Sequence, residues 1–342
     1  MRSKGDITNY YNTLFLILMK PRTILNVIIL LSSFNFLACS SVQPPTDPQG
    51  RPLIEKIGTI DCDLVETTPV VFKDKVYRFE YVRAGYWNNH TGDSYFRFVD
   101  HQTGKPTSSF AKGFEFGSAY VLNDTAYVTA VDHGDGERVY IFKSNDLQNW
   151  DQWMAFDIPG FGIFNTSMIK AGSNFVLMFE VGKPEIEAGE RFTARFATSP
   201  DLKKWEILSR DHNYAMDRYT APHCLRYVDG YYYDFYLEAF QGYEARVVRS
   251  KDLIHWEPSP LNPVLKASPV DRQLATRDLP EILRQKIATA ENCNNSDIDF
   301  CEYKGKLIIN YSWGNQRGKE FLGEAVYHGT QEQFLKGWFP DR

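Results

Sequence analysis

Ser144-Asn145-Asp146-Leu147-Gln148-Asn149-Trp150 returns twice further along the chain, as Ser199-Pro200-Asp201-Leu202-Lys203-Lys204-Trp205 and as Ser250-Lys251-Asp252-Leu253-Ile254-His255-Trp256. The three aspartates are 55 and 51 residues apart. A period of that length, filled with short β-patterned runs, fits one four-stranded propeller blade per repeat. Ser and Asp suit a tight turn because their side-chain oxygens accept from nearby backbone N–H groups. Leu and Trp are expected to pack between neighbouring blades.

A second set of marks gives the number of blades. Five segments share a polar or small head, an apolar run, a two-residue turn and a return strand. Their heads are Glu66, Gly117, Asn165, Thr220 and Asn295, and they turn at Asp74, Asn123-Asp124, Gly172-Ser173, Asp229-Gly230 and Lys304-Gly305. Asp-Gly between apolar runs is a strong hairpin signal. The turns are spaced by 50, 49, 56 and 75 residues. The long last step holds a charged, helix-compatible insertion on blade four, residues 268–292. The expected fold is therefore all-β, a five-bladed β-propeller over residues 53–342, with that short helical insertion. Phe321 to Tyr327 supplies an outer strand of the last blade, and Ile54 to Leu64 is expected to close the ring by pairing with it.

The N-terminus reads as an export signal. Lys20 and Arg22 precede the apolar run Ile24 to Leu37, which ends in Leu37-Ala38-Cys39. Cys39 in that setting resembles a bacterial lipobox, so residues 1–39 are expected to be a signal segment. Residues 40–52, with four prolines, are expected to be a flexible tether. Translation starts at Met1 or Met19. A spanning anchor over Leu14 to Leu37 is the competing reading. The lipoprotein reading places the protein in the cell envelope, lipid-anchored to the outer membrane. On that reading Cys39→Ala releases the protein from membrane fractions, whereas continued sedimentation with membranes favours the spanning anchor.

Net charge is −5 with no basic run, which gives no argument for nucleic acid. Aromatics make up 15% of the chain, a proportion that suits strands and sugar-stacking surfaces alike. Cysteine spacing fits no zinc pattern, and Cys293 with Cys301 is the expected local disulfide.

Inner strands of a propeller start near one mouth of the central axis, so their heads should converge there. Asp297 and Asp299, at i and i+2 of one strand, are expected on one face, where crowding raises one pKa and sets up an acid–base pair. Glu66 heads blade one and His223 heads blade four; these four are the candidate catalytic residues. Asn295, Arg226, Asn165, His133 and Glu238 are the candidates for holding substrate, with Arg226 suited to a carboxylate.

The three Ser-x-Asp-Leu-x-x-Trp turns, the Asp229-Gly230-Tyr231-Tyr232-Tyr233 hairpin and the five repeats resemble the five-bladed propeller glycosidases, the arabinanase/xylosidase and invertase-like group. That resemblance implies carboxylates on inner strands of different blades, acting as base, modulator and acid. Glu66 and Asp297 or Asp299 are carried over by position. Blades two and three show Gly117-Ser118 and Asn165-Thr166 where that group places further carboxylates, and His223 stands as a substitute acid.

Three functions follow as expectations: an exo-acting glycoside hydrolase on oligosaccharides, a lyase or dehydratase eliminating on uronic acids, or a surface glycan-binding lipoprotein without turnover. The chemistry requires no cofactor, and the axis leaves room for a metal ion in the central channel. The expected partners are an oligosaccharide or polysaccharide and the membrane.

Overall fold

All five expected hairpins turn in two residues, because the pairs that close them are Phe72 with Lys75, Leu122 with Thr125, Ala171 with Asn174, Val228 with Tyr231, and Tyr303 with Lys306. The first turn residue in each, Lys73, Asn123, Gly172, Asp229 or Lys304, has φ between 48° and 58°. That left-handed conformation matches the twist of the flanking strands, which is why short hairpins adopt it. The computed structural model describes residues 44–340 except 240, 241, 277 and 319. The expected signal segment, Cys39 and the spanning alternative lie outside the described residues.

Each hairpin supplies the two inner strands of a blade. Blade one is β2 (Thr67–Phe72), β3 (Lys75–Val82) and β4 (Tyr95–Asp100). Blade two is β5 (Glu115–Leu122), β6 (Thr125–Val131), β7 (Arg138–Ser144) and β8 (Asp151–Asp157). Blade three is β9 (Gly162–Ala171), β10 (Asn174–Lys183), β11 (Thr193–Ser199) and β12 (Glu206–Ile207). Blade four is β13 (His223–Val228), β14 (Tyr231–Ala239), β15 (Tyr243–Ser250) and β16 (Trp256–Pro258). Blade five is β17 (Asn294–Tyr303), β18 (Lys306–Gly314) and β19 (Glu320–Tyr327), completed by β1 (Glu55–Cys62) pairing antiparallel with β19. The ring thus closes through its N-terminal strand, and the fold is the expected five-bladed propeller.

The repeated turns form one structure three times. Ser144 Oγ accepts from the backbone N–H of Leu147 at 2.9 Å, and Asp146 Oδ1 accepts from Gln148 and Asn149 at 2.8 Å. The Ser199–Asp201 turn repeats this pattern, and in the third copy Asp252 again takes two backbone N–H groups. Leu147, Leu202 and Leu253 are buried at φ 59° to 63°. Each Trp packs on the preceding blade: Trp150 stacks on Phe110 at 3.9 Å, Trp205 meets Phe156, and Trp256 stacks on Phe196. The indoles are half-buried rather than fully enclosed.

Apolar clusters fill the seams between blades one and two, two and three, three and four, and four and five. At the seam between blades five and one the apolar contact splits into two small clusters. One is Leu64, Val82, Tyr95 and Leu322, and the other is Val76, Cys301 and Ile308. Between them lie Arg78, Glu80, Arg97, Asp61 and Glu324.

The insertion after blade four forms a 3-10 turn, Pro269–Arg272, and a helix, Glu281–Thr289, whose Leu283 and Ile287 are buried. It is tied to β1 by Thr59 N–H donating to Gln273 O at 2.7 Å and Ala275 N–H donating to Thr59 O at 2.9 Å. Asp271, fully buried, is the hub of this junction. It accepts from Lys56 Nζ at 2.7 Å, Tyr311 Oη at 2.9 Å, Asn292 Nδ2 at 2.9 Å and the Ser268 N–H at 2.7 Å. Within the stretch read as a tether, Asp47 caps a closed turn, and Leu53 N–H donates to Pro45 O at 3.0 Å.

The expected Cys293–Cys301 disulfide does not form, and both thiols are free. Eight residues of extended chain separate them by roughly 25 Å, well beyond disulfide reach.

Candidate active site

One position at the head of each innermost strand, in it or just before it, builds the mouth of the axis. Glu66, Phe116, Asn165, Pro222 and Asp297 all line the same pocket, of about 310 Å³. Each sits seven places before the first turn residue of its hairpin, which is Lys73, Asn123, Gly172, Asp229 or Lys304 in turn. The ring symmetry therefore brings a residue from every blade to one site. Residues one step further along (Thr67, Gly117, Thr166, His223 and Ile298) line a narrower void of about 30 Å³ below it.

Asp297 reaches the mouth through a backbone irregularity. The pairing of β17 with β18 slips between Ser296 and Asp299, and Asp297 has φ 50°. Such a bulge re-aims a side chain and cancels strand alternation locally. The expected sharing of one face by Asp297 and Asp299 therefore fails. Asp297 turns to the pocket, where it accepts from the Ser296 and Ser312 hydroxyls. Asp299 points into the channel wall, ion-paired with Arg226 and accepting from the Phe300 N–H at 2.7 Å. Blade two carries the matching bulge, with Phe116 at φ 51°.

The carboxyl groups around the pocket occupy different environments. Glu66 is ion-paired with Arg83, whose guanidinium lies over the rings of Tyr81, Tyr86 and Phe116. Burial, reinforced by the charge of Glu66, pushes Asp297 up to about 7, against the pull of its two serine donors. Glu180, from β10, is held well above the usual carboxylate range by burial, although Asn165 Nδ2 donates to it at 3.0 Å. Its Oε1 has no partner among the described residues. Glu320, at the start of β19, is pushed up to about 7 by burial while accepting from the Gln316 N–H at 2.7 Å.

The same pocket carries an aromatic wall. Phe116, Phe164, Phe192 and Tyr219 meet edge to face in sequence, with ring centroids 5.4, 4.6 and 5.8 Å apart. Rings and carboxyls sharing one pocket suit a ligand that has both apolar faces and hydroxyls.

Of the nine residues singled out from sequence as catalytic or substrate-holding, Glu66, Asp297 and Asn165 line the pocket. His223 lies in the void beneath it. Its side chain is fully buried, with Nδ1 at 3.1 Å from both Asp234 Oδ2 and Tyr214 Oη. Asp299 and Arg226 lie deeper, and Arg226 lines the opposite end of the channel. Asn295 turns away to Lys56 and Asp271. His133 is exposed on the loop after β6, beside Asp132. Glu238 is held by Arg218 at 2.9 Å, outside the pocket lining. The expected convergence of Glu66, His223, Asp297 and Asp299 is met in the void below the pocket, which all four line, while only Glu66 and Asp297 also line the pocket at the mouth.

Sequence reading missed Glu180, Glu320 and the aromatic wall. Glu180 did carry a signal, because it interrupts Phe175-Val176-Leu177-Met178-Phe179 and Val181, an apolar run in which an isolated carboxyl has a specific reason to be present. Among the described residues no group of three or more His, Cys, Asp or Glu side chains is arranged to hold a metal ion. The void below the pocket offers His223 Nε2 and threonine hydroxyls, a donor set for a water or for an ion that keeps its own waters.

No protein-family model matches the chain. No curated protein matches it in sequence. Solved structures match its fold. A xylan β-1,4-xylosidase from Bacillus halodurans aligns over 79% of this chain and 53% of its own, at 13% identity and TM-score 0.52. An α-L-arabinofuranosidase from Fusarium graminearum, in complex with an iminosugar inhibitor, aligns over 80% and 97%, at 12% identity and TM-score 0.53. A thermostable family-43 glycoside hydrolase aligns over 78% and 90%, at 11% identity and TM-score 0.53. The chain shares their five-bladed architecture.

Proposed function

We propose that the protein is an exo-acting glycoside hydrolase on neutral oligosaccharides. The observation that carries this reading is the meeting of Glu66 and Asp297 in one pocket with their environments set apart, one carboxylate paired to Arg83 and the other pushed up to about 7. Paired carboxyls in unlike surroundings are what glycosidic cleavage asks for. In this mechanism Asp297, protonated, donates to the departing glycosidic oxygen. Glu66 receives the proton of the attacking water or attacks the anomeric carbon itself. Glu180, whose burial favours the protonated form, presents its unpartnered Oε1 to a sugar hydroxyl and limits further negative charge beside Asp297. A pocket of about 310 Å³ at the end of a closed axis takes a chain terminus, which supports release of terminal sugars. No step requires a cofactor. The lipid anchor read at Cys39 would place this activity on the cell envelope.

Elimination from a uronate is served less well. Among the described residues the pocket lines up Asp63, Glu66, Glu180, Asp297 and Glu320 with one guanidinium, that of Arg83, which Glu66 already engages. A substrate carboxylate would meet a predominance of acids where elimination needs cations. The substrates named for the like-folded enzymes set the assay panel: arabino- and xylo-oligosaccharides beside galacturonate oligomers. The expected products are terminal monosaccharides with one new reducing end per bond cleaved. Ultraviolet-absorbing unsaturated uronate without new saturated ends would overturn the hydrolase reading.

A further inference from the structure

The seam between blades five and one departs from the other four. Where they carry continuous apolar clusters, this seam holds a groove of about 680 Å³ in which charged side chains are interleaved with apolar ones such as Ile60, Val99 and Leu283. Glu80, fully buried, accepts from Arg78 Nε at 2.7 Å and from Arg97 Nε at 2.7 Å, and Asp61 lies 3.5 Å from Arg78. His101 Nε2 is 2.9 Å from Glu324. Buried ion pairs stabilise a fold less than well-packed apolar residues of similar volume. A seam built this way has given up packing that its four counterparts retain, and such departures concentrate at functional sites.

The groove also has an aromatic platform, Trp87, 47% exposed. Trp87 follows Tyr86 on the loop after β3, and the two residues serve different cavities: Tyr86 lines the pocket at the axis and Trp87 lines the groove. The loop is fixed. Asn89 Nδ2 donates to Arg83 O at 3.0 Å and Asp93 O at 2.7 Å, while its Oδ1 accepts from the Thr91 and Gly92 N–H groups. Trp87 N–H donates to Asp63 Oδ2 at 3.1 Å, and Asp63 is itself a pocket residue. One rigid loop thus forms the wall between the two cavities.

We propose that this groove is a second carbohydrate site, binding the body of a neutral glycan chain whose terminus is processed at the axis. Trp87, with Lys286 Nζ 5.8 Å from its ring centroid, offers an exposed indole to a pyranose or furanose ring, and Asn88 with the partly exposed Asp61, Arg78 and Arg97, held in place by buried Glu80, offers fixed partners for hydroxyls. Among the described lining residues the cations Arg78, Arg97 and His101 are each already paired with Glu80, Asp61 or Glu324, which leaves them less able to take the carboxylates of a polyuronate. The assignment of a sugar chain rests on the hydrolase reading of the neighbouring pocket, but the groove can be tested without turnover.

Binding of arabinohexaose, xylohexaose and a galacturonate hexamer to the full chain should be measured by calorimetry, beside hydrolysis of short aryl glycosides. Trp87→Ala should weaken binding of a neutral hexasaccharide at least tenfold, and Trp87→Phe should restore part of it. Both variants should hydrolyse the short aryl glycosides as the unaltered protein does. Unchanged hexasaccharide affinity in Trp87→Ala overturns the proposal, as does preference for the galacturonate hexamer. If no glycan is cleaved but Trp87-dependent binding persists, the hydrolase reading falls and the groove stands.

Discussion

Asp297→Asn should lower kcat/KM on unactivated oligosaccharides by about 10²–10⁴-fold, the usual weight of a positioned general acid. The amide keeps the size of the side chain and can still pair with Ser296 and Ser312, but it has no proton to give. The pH profile carries the sign of the assignment. A donor near 7 is loaded below that pH and empty above it, so activity of the unaltered protein should fall as pH rises through about 7. The variant should lose that limb. Unfolding is a separable outcome. A carboxyl whose pKa rises on folding binds its proton more tightly in the folded chain, so it costs stability as pH climbs from about 4 to about 7. Asp297→Asn should therefore be at least as stable as the unaltered protein at pH 8, measured by denaturant unfolding.

The largest loss of stability is expected at the ring closure. Asp271 gathers Lys56 from β1, Tyr311 from β18 and Asn292 and Ser268 from the insertion around one fully buried carboxylate. Asp271→Ala leaves a largely buried ammonium and several donors without their acceptor, so unfolding free energy should drop by about 3–5 kcal/mol. Because β1 is the strand that closes blade five, protease cleavage should begin at its N-terminal side. A denaturant midpoint unchanged by this substitution would show that closure does not depend on the hub.

The sequence made the fold legible because two independent marks repeat at blade spacing. The Trp turns depend on local hydrogen bonds from Ser and Asp, and the hairpins on two-residue turns, so both are written in adjacent residues. The site is legible only in part, because its members are set by register rather than by composition. Counting seven places back from each hairpin turn selects Glu66, Phe116, Asn165, Pro222 and Asp297. Choosing heads by polarity also finds Glu66, Asn165 and Asp297, but it adds Asn295, which turns away, and passes over Phe116 and Pro222. Simple alternation placed Asp299 beside Asp297, and the bulge that separates them has no signature in their side chains. Glu180 comes from a second strand, where only its isolation within an apolar run marks it.

The central claim is that Asp297 supplies the proton to the leaving group, and the leaving group can test it. Asp297→Asn should be assayed on a pair of glycosides with the same sugar, one bearing an unactivated alkyl aglycone and the other a dinitrophenyl aglycone that departs without protonation. The account predicts the full loss on the first and less than about a tenfold loss on the second. An equal loss on both, or the same rescue appearing in Glu66→Gln instead, would contradict it.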